Sequence, residues 1–160
     1  MRSAMLFAAG ILVGLGAHVV SAQNSNSGIV GMNHVGIAVA NMDEAVAFYT
    51  QKMGFKEAFT VRDEKGQPTL VYVQVSRDTF IELQPANANR PKGLNHVGLQ
   101  VENIAATVAR LRAQGLKIDD PRVSSTNSKI TNVFDLGGVR VELSEITPES
   151  LQRKAINAWR

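Results

Sequence analysis

The segment NHVGIAV at 33–39 returns as NHVGLQV at 95–101, 62 positions later. A repeat of this length constrains the fold more than any other feature of the chain, because its surroundings repeat with it. Each copy alternates apolar and non-apolar residues as a half-buried strand does. Asn41 and Asn103 follow the two copies, placed to cap a helix by accepting a backbone N–H. Helical stretches come next: Met42 to Met53, with Glu44 three residues after its cap, and Ile104 to Gln114, with Ile104, Val108 and Leu111 on one face. Gly54 and Gly115 then stand where a helix end tolerates left-handed backbone. Beyond them both halves turn β-rich, with FKEAFTV, TLVYVQV and TFIELQP in the first and LKID, KITNVFDL and VRVELSE in the second. The spacing predicts an α+β chain of two βαβββ modules, at 29–86 and 93–146, joined by the polar NANRPK and forming a single domain over 29–146. A chain of 160 residues suits one core of this kind.

Strand parity then sorts the side chains. Val35, Ile37 and Val39 share the face that packs on a helix, and His34, Gly36 and Ala38 share the other, since successive side chains alternate. In the second copy Val97, Leu99 and Val101 pack, opposite His96, Gly98 and Gln100. The last strand of each module behaves alike: Ile81 and Leu83 pack opposite Phe80, Glu82 and Gln84, and Val141 and Leu143 pack opposite Arg140, Glu142 and Ser144. Two histidines and two glutamates therefore fall on one sheet face. A glutamate amid apolar strand residues is costly to bury unless it is paired or bound to a cation. Two imidazoles and two carboxylates suit one divalent ion, with zinc, nickel, cobalt, manganese and iron all compatible. Beyond the leader described next, these are the only histidines of the chain.

Residues 1–22 carry Arg2, an uncharged apolar run from Ala4 to Ala17, and Val20 and Ala22 spaced like the small residues before a cleavage site. The pattern predicts a signal peptide, with a retained membrane anchor as the alternative, and hence an exported, periplasmic or secreted protein with no membrane association after cleavage. QNSNSG at 23–28 reads as a flexible linker. Without Arg2, 16 Lys and Arg face 14 Asp and Glu, scattered along the chain, which gives nucleic-acid binding no support. The absence of cysteine excludes thiol catalysis and cysteine-ligated zinc, and leaves an exported chain to rely on packing or a metal. At the C-terminus, Thr147 as cap and Pro148 at the first helical position predict a helix over 147–160, with Leu151, Ala155 and Trp159 as its apolar stripe. That stripe needs cover from its own domain or from a second chain.

In order and spacing, MNHVGIAVANMDEAVAFYTQKMGF, TFIELQP, GLNHVGLQVENIAATVARLRAQGL and FDLGGVRVELSE resemble the motifs of the vicinal oxygen chelate superfamily, which includes glyoxalases, bleomycin-resistance proteins and extradiol dioxygenases. The resemblance implies paired βαβββ modules in a curved, cup-like sheet around a metal. Carried over by position from members of the lactoylglutathione lyase type, the ligands are His34, Glu82, His96 and Glu142. Asp135-Leu136-Gly137-Gly138 departs from the family's usual turn before the last strand and touches no ligand position.

The implied chemistry is that of a lyase or isomerase. A divalent cation chelated by vicinal substrate oxygens stabilises an enediolate-like anion, and a carboxylate shuttles the proton. Glu142, with Glu82, is the candidate base. Tyr72, Gln74, Phe80, Gln84, Gln100, Asn132 and Phe134 share the cup-facing parity and are candidates to line a small-molecule pocket. Three alternatives stand beside a glyoxalase-like enzyme. An acyl-CoA epimerase of the methylmalonyl type shares the chemistry, although its usual second ligand resembles Gln where this chain has Glu82. An Fe(II) ring-cleaving dioxygenase uses two His and one carboxylate, so that Glu82 would crowd it. A non-catalytic binding module needs no metal ligands. The family commonly dimerises, which makes a homodimer the expected assembly.

Overall fold

A computed structural model describes residues 28–160. The predicted leader and residues 23–27 of the linker lie outside the described residues. Each half of the chain contributes four strands: β1 Ile29–Val39, β2 Lys56–Arg62, β3 Pro68–Ser76 and β4 Thr79–Pro85 from the first, β5 Gly93–Val101, β6 Arg122–Val123, β7 Lys129–Phe134 and β8 Arg140–Glu145 from the second. They form one curled, mixed eight-stranded sheet in the order β2-β3-β4-β1-β5-β8-β7-β6. The predicted α+β class and the paired βαβββ organisation are both present. The repeated strands β1 and β5 meet antiparallel at the centre. Each pairs in parallel with the last strand of its own module, β1 with β4 and β5 with β8.

Helix α1, Met42–Ala47, and α2, Ile104–Ala113, are capped by the Asn41 and Asn103 side chains, which accept from the N–H of Glu44 and Ala106. Gly54 and Gly115 take φ of 73° and 88° just past the helical segments. The first helical stretch, expected over Met42 to Met53, is regular only as far as Ala47. Phe48–Lys52 widen into a π turn, where the Met53 N–H reaches the Phe48 carbonyl and the Thr50 hydroxyl donates to that of Val46 at 2.8 Å. On the outer face, Ile37, Val39, Ile81 and Leu83 pack with Val71 and Val73 against Met42, Ala45 and Val46 of α1. Val101 and Leu143 pack against Ile104 and Val108 of α2 in the same way. This is the face that strand parity assigns to the helices.

The C-terminal helix, α3, corrects two expectations. It spans Leu151–Asn157 and is capped by Ser150, whose hydroxyl accepts from the Arg153 N–H at 3.1 Å. Thr147 instead donates its hydroxyl to the Asn127 carbonyl, so the chain turns three residues later than the Thr-Pro signal suggests. The residues the helix buries most deeply are Gln152 and Ile156, with Ala155 of the expected stripe packed beside them, while Trp159 lies past the helix end at 38% exposure. The helix covers its own domain: Ile156 joins Leu70, Tyr72, Phe80 and Ile146 on the inner face of the first module.

Candidate metal centre

The central strands set the histidines and glutamates in two cross-sheet rows. Gly36 pairs with Glu82 on one side and His96 on the other, while Gly98 pairs with His34 and Glu142. Each imidazole lies over the glycine of the other repeat. A Cβ added at Gly36 would stand 2.0 Å from a ring carbon of His96, and one at Gly98 would stand 2.1 Å from a ring carbon of His34.

The asparagines before the histidines complete this arrangement. Between Met32 and His34 the register with β5 shifts, and it shifts again between Gly36 and Ile37, so Asn33 and Asn95 are the extra residues of two β-bulges. Strict alternation would send each asparagine to the opposite face from its histidine. With the bulges, Asn33 Oδ1 lies 3.0 Å from His34 Nδ1, and Asn95 Oδ1 lies 3.0 Å from His96 Nδ1. Asn33 also donates its amide to the Asp78 carbonyl at 3.2 Å. That bond fixes its oxygen toward the ring, so His34 carries its proton on Nδ1 and turns the Nε2 lone pair inward.

The two Nε2 atoms are 2.9 Å apart, and two lone pairs at that distance require a proton or a cation between them. Glu82 Oε2 is 3.4 Å from His34 Nε2 and 3.8 Å from His96 Nε2, and Glu142 Oε1 is 3.6 Å from His34 Nε2. Ligands held at ~2.0–2.2 Å by one ion stand roughly 3–3.5 Å from one another, so the spacing and chemistry of this set fit a divalent cation. His34, Glu82 and His96 offer donor atoms all within 4.8 Å of one another, and Glu142 adjoins that group from the β8 side.

Burial tunes all four. His34 and His96 have no exposed surface, and desolvation, aided by the Arg140 charge, lowers their pKa values to about 4 and about 3. Both rings are therefore neutral; His34 presents its Nε2 lone pair, and His96 does the same only when its proton sits on Nδ1, toward Asn95. Desolvation and the neighbouring Glu82 push Glu142 up to about 7, while burial raises Glu82 against the opposing hydrogen bond from Tyr72.

The two glutamates differ in support. Glu82 accepts from the Tyr72 hydroxyl and the Gln84 amide. Glu142 accepts no hydrogen bond among the described residues. Arg140 reaches the outer edge of His96, with Nη2 2.7 Å from Nδ1, and donates to Asn95 and Asn132. A guanidinium only donates, so it meets a lone pair on Nδ1 when the His96 proton sits on Nε2, pointing at His34.

A cavity of about 240 Å³ opens beside the glutamates. Of the seven predicted lining residues, Tyr72 and Gln84 face it. Phe80 is buried beneath Tyr72 in the α3 core, and Gln74 is buried with its amide on the Arg77 and Ala155 carbonyls. Gln100 lies along β5 opposite Gly31 and Ser144, beyond the cavity. Asn132 and Phe134 line a separate groove with Arg112 and Leu116. The remaining wall includes Arg90, Arg122, Arg140, Ser124 and Thr126 beside the apolar Leu70 and Ile130, and of these strand parity placed only Arg140 on the cup face.

The family model of the glyoxalase/bleomycin resistance protein/dioxygenase superfamily matches residues 31–143. The chain belongs to that superfamily. Mitochondrial methylmalonyl-CoA epimerase of Mus musculus is 25% identical over 128 residues, covering 71% of this chain and 72% of its own length. The structure of methylmalonyl-CoA epimerase from Mycobacterium tuberculosis superposes with a TM-score of 0.68 at 28% identity, over 78% of this superfamily member and 93% of that protein. A variant of the Streptomyces coelicolor epimerase in complex with 2-nitronate-propionyl-CoA shares the fold, with a TM-score of 0.64 at 24% identity over 76% of this chain and 98% of its own. These relatives are isomerases, and none of the three is a lactoylglutathione lyase. Helix α3 lies beyond the matched region.

Proposed function

We propose that the protein is a metal-dependent isomerase that moves a proton at a carbon next to a carbonyl, with epimerisation as its reaction. The observation that carries this reading is the unequal support of the two glutamates. Tyr72 and Gln84 pin Glu82 in place, whereas Glu142 borders the cavity with no hydrogen bond among the described residues to hold it. A carboxylate free of hydrogen bonds beside a cavity is free to reach a substrate proton. His34, Glu82, His96 and Glu142 would hold a divalent ion, which when bound supplies a positive charge for oxygens of the substrate.

Glu142 takes the proton from the carbon, the C–H pair becomes a C=C bond, and the carbonyl pair moves onto oxygen. A second proton, delivered from Glu82 or from solvent to the opposite face, restores the carbonyl and inverts the centre, and Glu142 gives up its own proton to solvent. Tyr72, its pKa raised by burial and by Glu82, stays protonated and keeps Glu82 oriented throughout. The similarity to methylmalonyl-CoA epimerases supports this class over a lyase. The leader pattern of residues 1–22 supports a reaction outside the cytoplasm.

The test is proton exchange. Protein loaded in turn with zinc, cobalt or manganese is incubated in D2O with methylmalonyl-CoA and with free methylmalonate, and loss of the C2–H signal is followed by NMR. Exchange that falls at least ~100-fold in Glu142→Gln, with the metal retained, supports the assignment. Metal-loaded protein that exchanges neither compound counts against it.

A further inference from the structure

Three arginines from unconnected segments converge on the cavity: Arg90 from the linker between modules, Arg122 on β6 and Arg140 at the start of β8. None forms an ion pair among the described residues, and the side chains of Arg90 and Arg122 make no hydrogen bond there either. Their charges nevertheless reach the centre. Arg90 and Arg140 act on Glu82 and His96, and Arg122 and Arg140 act on Glu142. The acids on this wall are Glu82 and Glu142. A divalent ion between them would cancel both, which leaves three guanidinium charges facing the cavity without a counter-charge.

Guanidinium forks match carboxylate and phosphate oxygens, and charged clefts with low-dielectric walls concentrate ligands of opposite sign. The Ser124 and Thr126 hydroxyls on the same wall add donors of the kind such oxygens accept. Size narrows the class. The cavity holds about 240 Å³ and is open on one side, so a compact anion fits within its walls and a bulky carrier would extend beyond the arginines.

We infer that the substrate is a small free polyanion, a compact dicarboxylate held by Arg90, Arg122 and Arg140, rather than an ester of a bulky carrier. This rests on the isomerase reading for the chemistry; for the anion site, three guanidiniums outnumber the two carboxylates even without a metal, and a bound ion widens that excess.

The test is calorimetric titration of the protein at pH 7 with malonate, with malonamate, which carries one charge fewer, and with malonyl-CoA, each in metal-loaded and metal-free form. Malonate is expected to bind at least 10-fold more tightly than malonamate in both forms, and more tightly than malonyl-CoA. Arg90→Gln and Arg122→Gln, which alter partly or fully exposed side chains, are each expected to weaken malonate at least 5-fold without changing metal content or melting temperature. Equal binding of malonate and malonamate by the metal-free protein would overturn the inference, as would full affinity in both arginine variants or a preference for malonyl-CoA. A protein that selects malonate through its arginines but exchanges no C2–H proton would retain the anion site and lose the isomerase reading.

Discussion

At the scale of single residues, the motif Asn-His-Val-Gly divides its labour among all four positions. The histidine offers Nε2 to the centre, the asparagine orients it from a bulge, the valine packs outward, and the glycine makes room for the other histidine. Gly36→Ala and Gly98→Ala should therefore each displace a buried ring. We expect a loss of about 1–3 kcal/mol in urea unfolding, as for other overpacked cores, together with metal content falling to background. A stable variant that keeps its metal would contradict the reciprocal seating. Glu142 gives a pH prediction for metal-stripped protein. Its folded pKa of about 7 exceeds the ordinary 4.5, so its contribution to stability is full below pH 4.5 and is lost as pH rises through 7. The histidines act with opposite sign: their lowered values give stability that is present above pH 6.5 and lost as pH falls through about 4 and about 3. Above pH 6.5 both rings are neutral whether folded or not, so the carboxylates act alone. Urea midpoints of the stripped protein should decline from pH 6.5 to 7.5, and Glu142→Gln should flatten that decline.

At the scale of elements, helix α3 carries the sharpest difference from the sequence pattern. Its cap is Ser150, and the stripe it buries is one residue away from the one the Thr-Pro signal implied. Thr147 had the right chemistry for a cap, but its hydroxyl is taken by the Asn127 carbonyl, a contact no local pattern encodes. Gln152 anchors the helix, accepting from Ser128 at 3.1 Å and donating to Thr126 at 3.0 Å. Because Thr126 also faces the cavity, the helix braces one wall of the site. Ile156→Ala, which removes a buried side chain packed near Tyr72 and Phe80, should cost about 2–5 kcal/mol. Trp159→Ala should cost under about 0.5 kcal/mol, as surface changes usually do. Thermal and urea unfolding of the two variants tests this face; a larger effect at Trp159 than at Ile156 would place the buried stripe on Leu151, Ala155 and Trp159 instead.

At the scale of the whole molecule, the candidate ligands straddle the β1–β5 seam, with His34 and Glu82 from one half and His96 and Glu142 from the other. The chain has no disulfide to join those halves. A bound ion should act as that staple, raising the melting temperature in proportion to the logarithm of free metal. At 100 times its dissociation constant the gain is about 2.7 kcal/mol, and a chelator should reverse it. A melting temperature indifferent to metal would argue against ligation across the seam. The duplication made the modules, the outer packing face and the convergence of His34, Glu82, His96 and Glu142 legible before any coordinates, since period-two alternation is a local property of strands. Of the arginine wall only Arg140 was legible, by its parity with Glu142; Arg90 and Arg122 share no motif with it and join it only through sheet order. Nor were the bulges, because a one-residue insertion in a ladder depends on the partner strand.

The crossed seating of the rings also limits how such a protein can be divided. Severed in the stretch between Pro85 and Gly93, each fragment would keep an imidazole and lose the hollow in which that imidazole rests. Neither piece is a smaller working edition of the whole, and a change to one repeat is answerable to its twin.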